Sequence, residues 1–264
     1  MMNMVGKFAL PLLLLGAGLS VANAADAVLP GIVPEAKPVE NSDWRFAASP
    51  YFWAAGISGD VGQFGLPAVH LKSDFGDILS DLDFSFMGVA EARNDRYSFF
   101  GDIIYTKTTT DSGTPRGFLA RDVSLTSQTF TGLFGAGYSL FTDGKSNFDA
   151  VVGARIWYAK TELSFSGGLL DGVERSDSAT WVDAIAGFRS RYFLSDNVYV
   201  NGWGLIGAGQ AKLDWDVAAG IGYQFNDNIS AVAGYRALGV DYDHDNFVFD
   251  VVQQGPILGL AFRF

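Results

Sequence analysis

Leu258-Gly259-Leu260-Ala261-Phe262-Arg263-Phe264 closes the sequence, with large apolar side chains at 258, 260, 262 and 264 alternating with Gly259, Ala261 and Arg263. A repeat of two is the β-strand repeat, because successive side chains point to opposite faces. Soluble domains seldom finish on a strand with so many large apolar groups on one face. Lipid on one side and a packed interior on the other accounts for the pattern. The reading turns Leu258, Leu260, Phe262 and Phe264 outward and Arg263 inward.

The clearest strand runs from Leu213 to Phe225. Leu213, Trp215, Val217, Ala219, Ile221, Tyr223 and Phe225 share one face; Asp214, Asp216, Ala218, Gly220, Gly222 and Gln224 share the other. A water-soluble barrel has the same alternation with the apolar face turned inward, so alternation alone does not choose between the two. The other end of the chain chooses. Lys7, the apolar run Phe8–Leu19 with four consecutive leucines, and Ala22-Asn23-Ala24 have the layout of a secretory signal peptide over residues 1–24. Sec-type export and a membrane-facing exterior are therefore expected.

Composition agrees. The chain has 32 Gly, 14% aromatic residues and no Cys. Aromatics suit interfacial girdles, small residues suit curved strands, and a chain without disulfides must draw its stability from a closed hydrogen-bonded sheet. After residue 24 there is no apolar run long enough for a membrane helix. The net charge of −11 argues against nucleic acid as a partner.

Residues 25–43 carry Pro30, Pro34 and Pro38 and read as an extended periplasmic lead-in. From Trp44 the chain reads as an all-β, antiparallel, transmembrane up-and-down barrel over 44–264, of about ten strands, with eight to twelve in range. Tight turns are expected at Asn94-Asp95, Thr142–Ser146, Ser195-Asp196-Asn197 and Asn226-Asp227-Asn228, where the residues tolerate left-handed angles and bond their own backbone. Longer stretches are expected near 59–81, 110–120, 167–178, 210–213 and 241–247. Within the first, Phe75, Ile78, Leu79 and Leu82 fall at helical spacing, and 66–73 has the makings of an extra hairpin arm. Short turns on one side and long loops on the other would leave both termini on the short-turn side.

The ending at Phe264 resembles the last strand of Gram-negative outer-membrane β-barrels, which finish on an aromatic residue that the barrel assembly machinery reads. The architecture of 44–264 resembles small OmpA-like or porin-like outer-membrane proteins. That resemblance implies a monomer in the outer membrane of a Gram-negative bacterium, in contact with its lipid and lipopolysaccharide. It further implies a part in envelope integrity, adhesion or limited solute passage, with Phe264 as the assembly signal.

Alternation carried along the other strands turns Asp83, Glu91, Asp102, Asp149 and Asp183 inward with Arg93, Arg155, Arg189, Arg191, Arg236 and Arg263. Arginine suits such a set, because its planar fork meets carboxylates bidentately. A ten-strand lumen is narrow enough for these side chains to fill. A structural or surface-interaction barrel with a filled lumen is the first expectation. The alternative is a narrow channel with a charged constriction.

An enzyme is not expected. Proteases of the omptin type use acidic pairs and an Asp/His pair at the rim, and here Asp81, Asp83 and Asp241-Tyr242-Asp243-His244-Asp245 invite comparison. Two residues before His244 stands Tyr242, so the D-x-H spacing is missing. The same acidic run lacks the calcium-loop pattern, and phosphate, dinucleotide and zinc motifs are absent. No cofactor or metal is expected.

Overall fold

In the computed structural model, which describes residues 44–114 and 120–264, the chain folds as one antiparallel sheet closed on itself. Residues 1–24 and 25–43, expected to be a signal peptide and a lead-in, lie outside the described residues. The strand segments are β1 (Arg45–Trp53), β2 (Gly56–Gly62), β3 (Val69–Ser73), β4 (Leu82–Arg93), β5 (Tyr97–Gly113) and β6 (Asp122–Thr142). They continue with β7 (Asn147–Ser166), β8 (Glu174–Phe193), β9 (Val198–Gly209), β10 (Leu213–Gln224), β11 (Ile229–His244) and β12 (Phe247–Arg263). A short helix, α1 (Phe75–Ser80), lies between β3 and β4.

Closure comes from β12. Its lower half pairs with β1, from Ala47↔Arg263 to Trp53↔Ile257, and its upper half with β2, from Gln254↔Gly56 to Val248↔Gly62. β1 and β2 are thus one stave, bent at Ala54-Ala55. β3 adds to β2 alone, so the barrel itself has ten staves. The hairpin arm is real but does not enlarge the barrel. In the closed barrel every stave finds two partners, which is the condition for a β-structure to cross hydrocarbon. Among the described residues no helix is long and apolar enough to do so.

The tight turns are held as their residues dictate. Asn94 Oδ1 accepts from the amides of Arg96 (2.9 Å) and Tyr97 (2.7 Å), Asp143 Oδ1 from Lys145 (3.0 Å) and Ser146 (2.6 Å), and Asn226 Oδ1 from Asn228 and Ile229 (both 2.9 Å). These amide bonds hold the Asp143 carboxyl below the usual carboxylate range, the Ser146 amide contributing most. The opposite end is a correction to the expected loops. β11 and β12 run on to His244 and from Phe247, joined by Asp245 and Asn246, both at positive φ (51° and 63°). Residues 241–247 are therefore a two-residue hairpin, not a long loop, and the 210–213 stretch shrinks to Gln210–Lys212. The asymmetry between the two ends lies mainly in strand length: β6, β7 and β8 have 21, 20 and 20 residues against 12 each for β9 and β10. About ten residues cross a bilayer core, so one wall stands well above the rest.

The outer face is apolar. Phe46, Phe52, Phe86, Phe99, Phe134, Val152, Ile206, Ile221 and Leu258 are each more than half exposed. Near the short turns Tyr97 packs on Tyr138 and Phe148 stacks on Phe188, the girdle that the headgroup region favours. α1 joins this outer surface, with Phe75 edge-on to Phe52 at 5.6 Å. Asp74 caps the helix, its carboxylate accepting from the Asp77 amide while Asp77 reciprocates.

Candidate functional site

The lumen has three levels. At the tall end it is filled by rings. Trp181, fully buried, stacks on Tyr242 at 4.2 Å and on Trp157 at 5.8 Å, and Phe249 lies edge-on to Trp157 at 6.3 Å. Trp53, Ile104, Leu238, Val240, Phe247 and Val251 complete this apolar plug. Its members come from β1, β5, β7, β8, β11 and β12, so it reaches across the barrel.

Below the plug lies a belt of paired charges. Arg155, on β7, donates to Asp214 (2.5 Å) and Asp216 (2.7 Å), both on β10. Arg236, on β11, donates to both oxygens of Asp216 (3.1 and 2.7 Å) and to Asp102 on β5 (2.7 Å). The Tyr51 hydroxyl donates to Asp102 (2.7 Å) and accepts from Arg236 (2.9 Å). The Trp157 and Trp203 indoles donate to Asp214 and Asp216, each at 2.8 Å. Arg155, Asp214 and Asp216 are all 0% exposed and Arg236 1%. Charges so deep are tolerable only when paired and hydrogen-bonded. Here alternation puts them on facing inner walls, and the bonds run from β5 and β7 to β10 and β11 across the lumen.

The third level lies toward the short turns. Arg93 contacts Glu91 (2.7 Å) and both oxygens of Asp149, and Arg189 contacts Glu91 (3.1 Å) while its guanidinium lies 4.2 Å over the Phe100 ring. Arg191 stands over Tyr199 at 5.4 Å, and Arg263 donates to Ser230 (3.2 Å). This half is looser: cavities of about 140 and 390 Å³ share Ala47, Glu91 and Arg191 in their walls, the larger opening among the short turns.

Ten of the eleven residues assigned to the lumen by alternation point into it: Glu91, Arg93, Asp102, Asp149, Arg155, Asp183, Arg189, Arg191, Arg236 and Arg263. They fall into two groups, with Arg155, Asp102 and Arg236 in the belt and the others except Asp183 below it. Asp183 is fully buried, but it accepts from the Ala211 amide (2.8 Å) and makes no ion pair with Arg155, its cross-strand neighbour. Asp83 is a correction. A bulge between Leu82 and Phe84 shifts the register there and turns Asp83 to the outer face, where it meets Thr109 (2.7 Å) and Lys107 (3.5 Å).

Two groups were missed. Asp214 and Asp216 fall on the inward face by alternation, yet were not counted among the facing charges; the strand pattern alone was sufficient to include them. Trp157, Trp181 and Tyr242 also follow from alternation, two residues along from Arg155, Asp183 and Val240. An apolar plug runs against the rule that a membrane barrel is polar inside.

The two histidines stand apart from the lumen. His70, on β3, contacts Asp60 at 2.9 Å, and His244, at the β11–β12 turn, contacts Asp245 at 3.3 Å. Asp241 and Asp243 meet Lys212 at 3.6 and 3.1 Å. Among the described residues no group of three or more His, Cys, Asp or Glu side chains is placed to hold a metal ion.

The architecture is similar to the crystal structure of the outer membrane protease OmpT from Escherichia coli, with a TM-score of 0.54 and 9% sequence identity over 85% of this chain and 98% of that one. It is also similar to the translocator domain of the autotransporter NalP from Neisseria meningitidis, with a TM-score of 0.49 and 13% identity over 86% and 90% of the two chains. No family model matches the sequence, and no curated protein matches it. The fold is that of Gram-negative outer-membrane β-barrel proteins. Within that class this chain is a ten-stave barrel whose lumen is obstructed by an aromatic plug and a belt of paired charges.

Proposed function

We propose that the protein is a non-conducting outer-membrane barrel with a structural or surface-interaction role in the cell envelope. The observation that carries this is the belt: Arg155, Asp214, Asp216 and Arg236 are at most 1% exposed and bridge opposite walls. A conducting constriction needs water between its charges, and these charges contact one another instead. The tall wall gives the surface role its substance, because β5–β8 carry Thr106–Thr110, Ser124, Thr126, Lys160–Glu162 and Ser176–Ser178 toward its free edge.

The same reading has the chain exported by its leader, presented to the assembly machinery through Phe264, and inserted as a monomer beside lipopolysaccharide. It acts without catalysis: His70 and His244 each meet a single exposed aspartate, in separate hairpins. Proteoliposome swelling tests the role. Vesicles carrying the folded chain should admit arabinose no faster than protein-free vesicles; entry at porin-like rates would reject it.

A further inference from the structure

The geometry points to a binding site for a small organic carboxylate in the lumen's short-turn half, with Arg191 as its principal anchor. Four arginines, Arg93, Arg189, Arg191 and Arg263, face this space between the belt's Arg236 and a mouth that carries Arg45, Lys145 and Asp227, and two carboxylates, Glu91 and Asp149, stand among them. Both carboxylates are already engaged. Arg93 contacts Glu91 and Asp149, and Arg189 takes the second oxygen of Glu91. Arg191 and Arg263 are left without an ion pair among the described residues, in a chain whose net charge is −11.

The excess has a cause in the strand register. Arg189 lies opposite Asp149, but Arg191 lies opposite Asn147 on one side and Asn201 on the other. Neither neighbour carries charge, so alternation brings Arg191 into the lumen without a cross-strand counter-ion. Among the described residues Arg191 Nε, Arg189 Nη1 and Asn201 Oδ1 are buried and have no hydrogen-bond partner. An unmet buried donor is destabilising, and more so on a charged group. Arg191 makes no ion pair among the described residues and lines both cavities, so its guanidinium is the group an anion entering there would meet.

The cavity specifies that acceptor further. The guanidinium fork fits a planar carboxylate. About 140 Å³ is available, and its wall includes Tyr51, Val89, Trp203 and Ile257 beside Glu91, Arg189, Arg191 and Arg236. Such a wall suits an apolar body on the anion more than a bare hydrated oxyanion. Entry is from the short-turn end, through the larger space. The cavity meets the belt at Tyr51, Trp203 and Arg236, but its anchor Arg191 lies outside the belt, so binding and conduction are read separately.

Benzoate is the probe. The full chain, folded in detergent and verified by the faster gel mobility of unheated sample, is titrated by calorimetry and by tryptophan fluorescence, which Trp203 should report. Saturable binding is expected, weakened about tenfold or more in Arg191→Gln and unchanged in Lys212→Gln. If Arg191→Gln does not fold, Asn201→Leu, which crowds the same space, should weaken binding similarly. No saturable binding by the folded wild type, equal affinity in Arg191→Gln or Asn201→Leu, or phosphate displacing benzoate at lower concentration than benzoate itself requires would each overturn the assignment.

Discussion

Arg236 grips Asp216 with two parallel bonds, Nε at 3.1 Å and Nη2 at 2.7 Å, across the β10–β11 hairpin. The register makes this a diagonal pair, since Asp216 lies opposite Leu238 and Arg236 opposite Ala218. The same guanidinium continues to Asp102 and Tyr51, so one side chain ties β11 to β10, β5 and β1. Removing it leaves two buried carboxylates that share it as a partner. Arg236→Met should destabilise the barrel by about 3–5 kcal/mol, read from urea unfolding in detergent. A change below about 1 kcal/mol would show that the belt contributes little to stability.

Trp181 is the keystone of the plug, stacked between Trp157 and Tyr242. Trp181→Ala should cost about 3–5 kcal/mol, the range for deleting a large buried ring, with loss of near-UV circular dichroism from the stacked pair. The belt below it is built from other side chains, so this variant alone should stay impermeable.

Gly222 faces the lumen under the Tyr199 ring, where an added Cβ would come 2.1 Å from that ring. Gly222→Val should push Tyr199 off its hydrogen bond to Ser230 (3.0 Å) and cost about 1–3 kcal/mol by overpacking. The shift is measurable as a lower urea midpoint with an unchanged slope.

Asp143 offers a pH test outside the membrane-spanning strands. Its carboxyl is held below the usual range by the Ser146 and Lys145 amides, so the turn is stabilised while the group is ionised. That contribution is present above the unfolded-state value and disappears as pH falls through the lower folded-state value. In an amide-resolved NMR titration, the Ser146 and Lys145 signals should shift together at a midpoint below that of an exposed aspartate. A midpoint at or above that of an exposed aspartate would contradict the turn geometry.

How much of this was legible beforehand follows from one rule, that a strand alternates. The rule places Arg155, Arg189 and Arg236 correctly because their strands are regular. It fails at Asp83, where a bulge inserts one residue and reverses the facing, and bulges leave no dependable mark in a single sequence. The even stave count was legible through the Asn- and Asp-rich turns. The 241–247 hairpin was not, because the polar run Asp243-His244-Asp245-Asn246 resembles a loop even when the strands continue into it. Alternation gives the facing of each side chain but not its partner across the lumen. That Arg155 meets Asp214 and Asp216 rather than Asp183 depends on closure, a property of the whole sheet.

Phe264 ties the last strand to the first through its backbone, its amide donating to Phe46 O (2.9 Å) and its carbonyl accepting from Phe46 N (3.3 Å), while the ring is 77% exposed. An exposed ring adds little packing. Phe264→Ala should refold in detergent with nearly wild-type stability, yet yield much less folded barrel in the membrane fraction of cells. Equal yields would remove the assembly role.

Single-channel recording in planar bilayers tests the closed lumen most directly. The folded wild-type chain should give no stable conductance steps, while Arg155→Ala combined with Trp181→Ala, which opens both belt and plug, should give small ones. Stable steps from the wild type, altered in size by Arg155→Ala or Asp183→Ala, would contradict the account and make the lumen a channel.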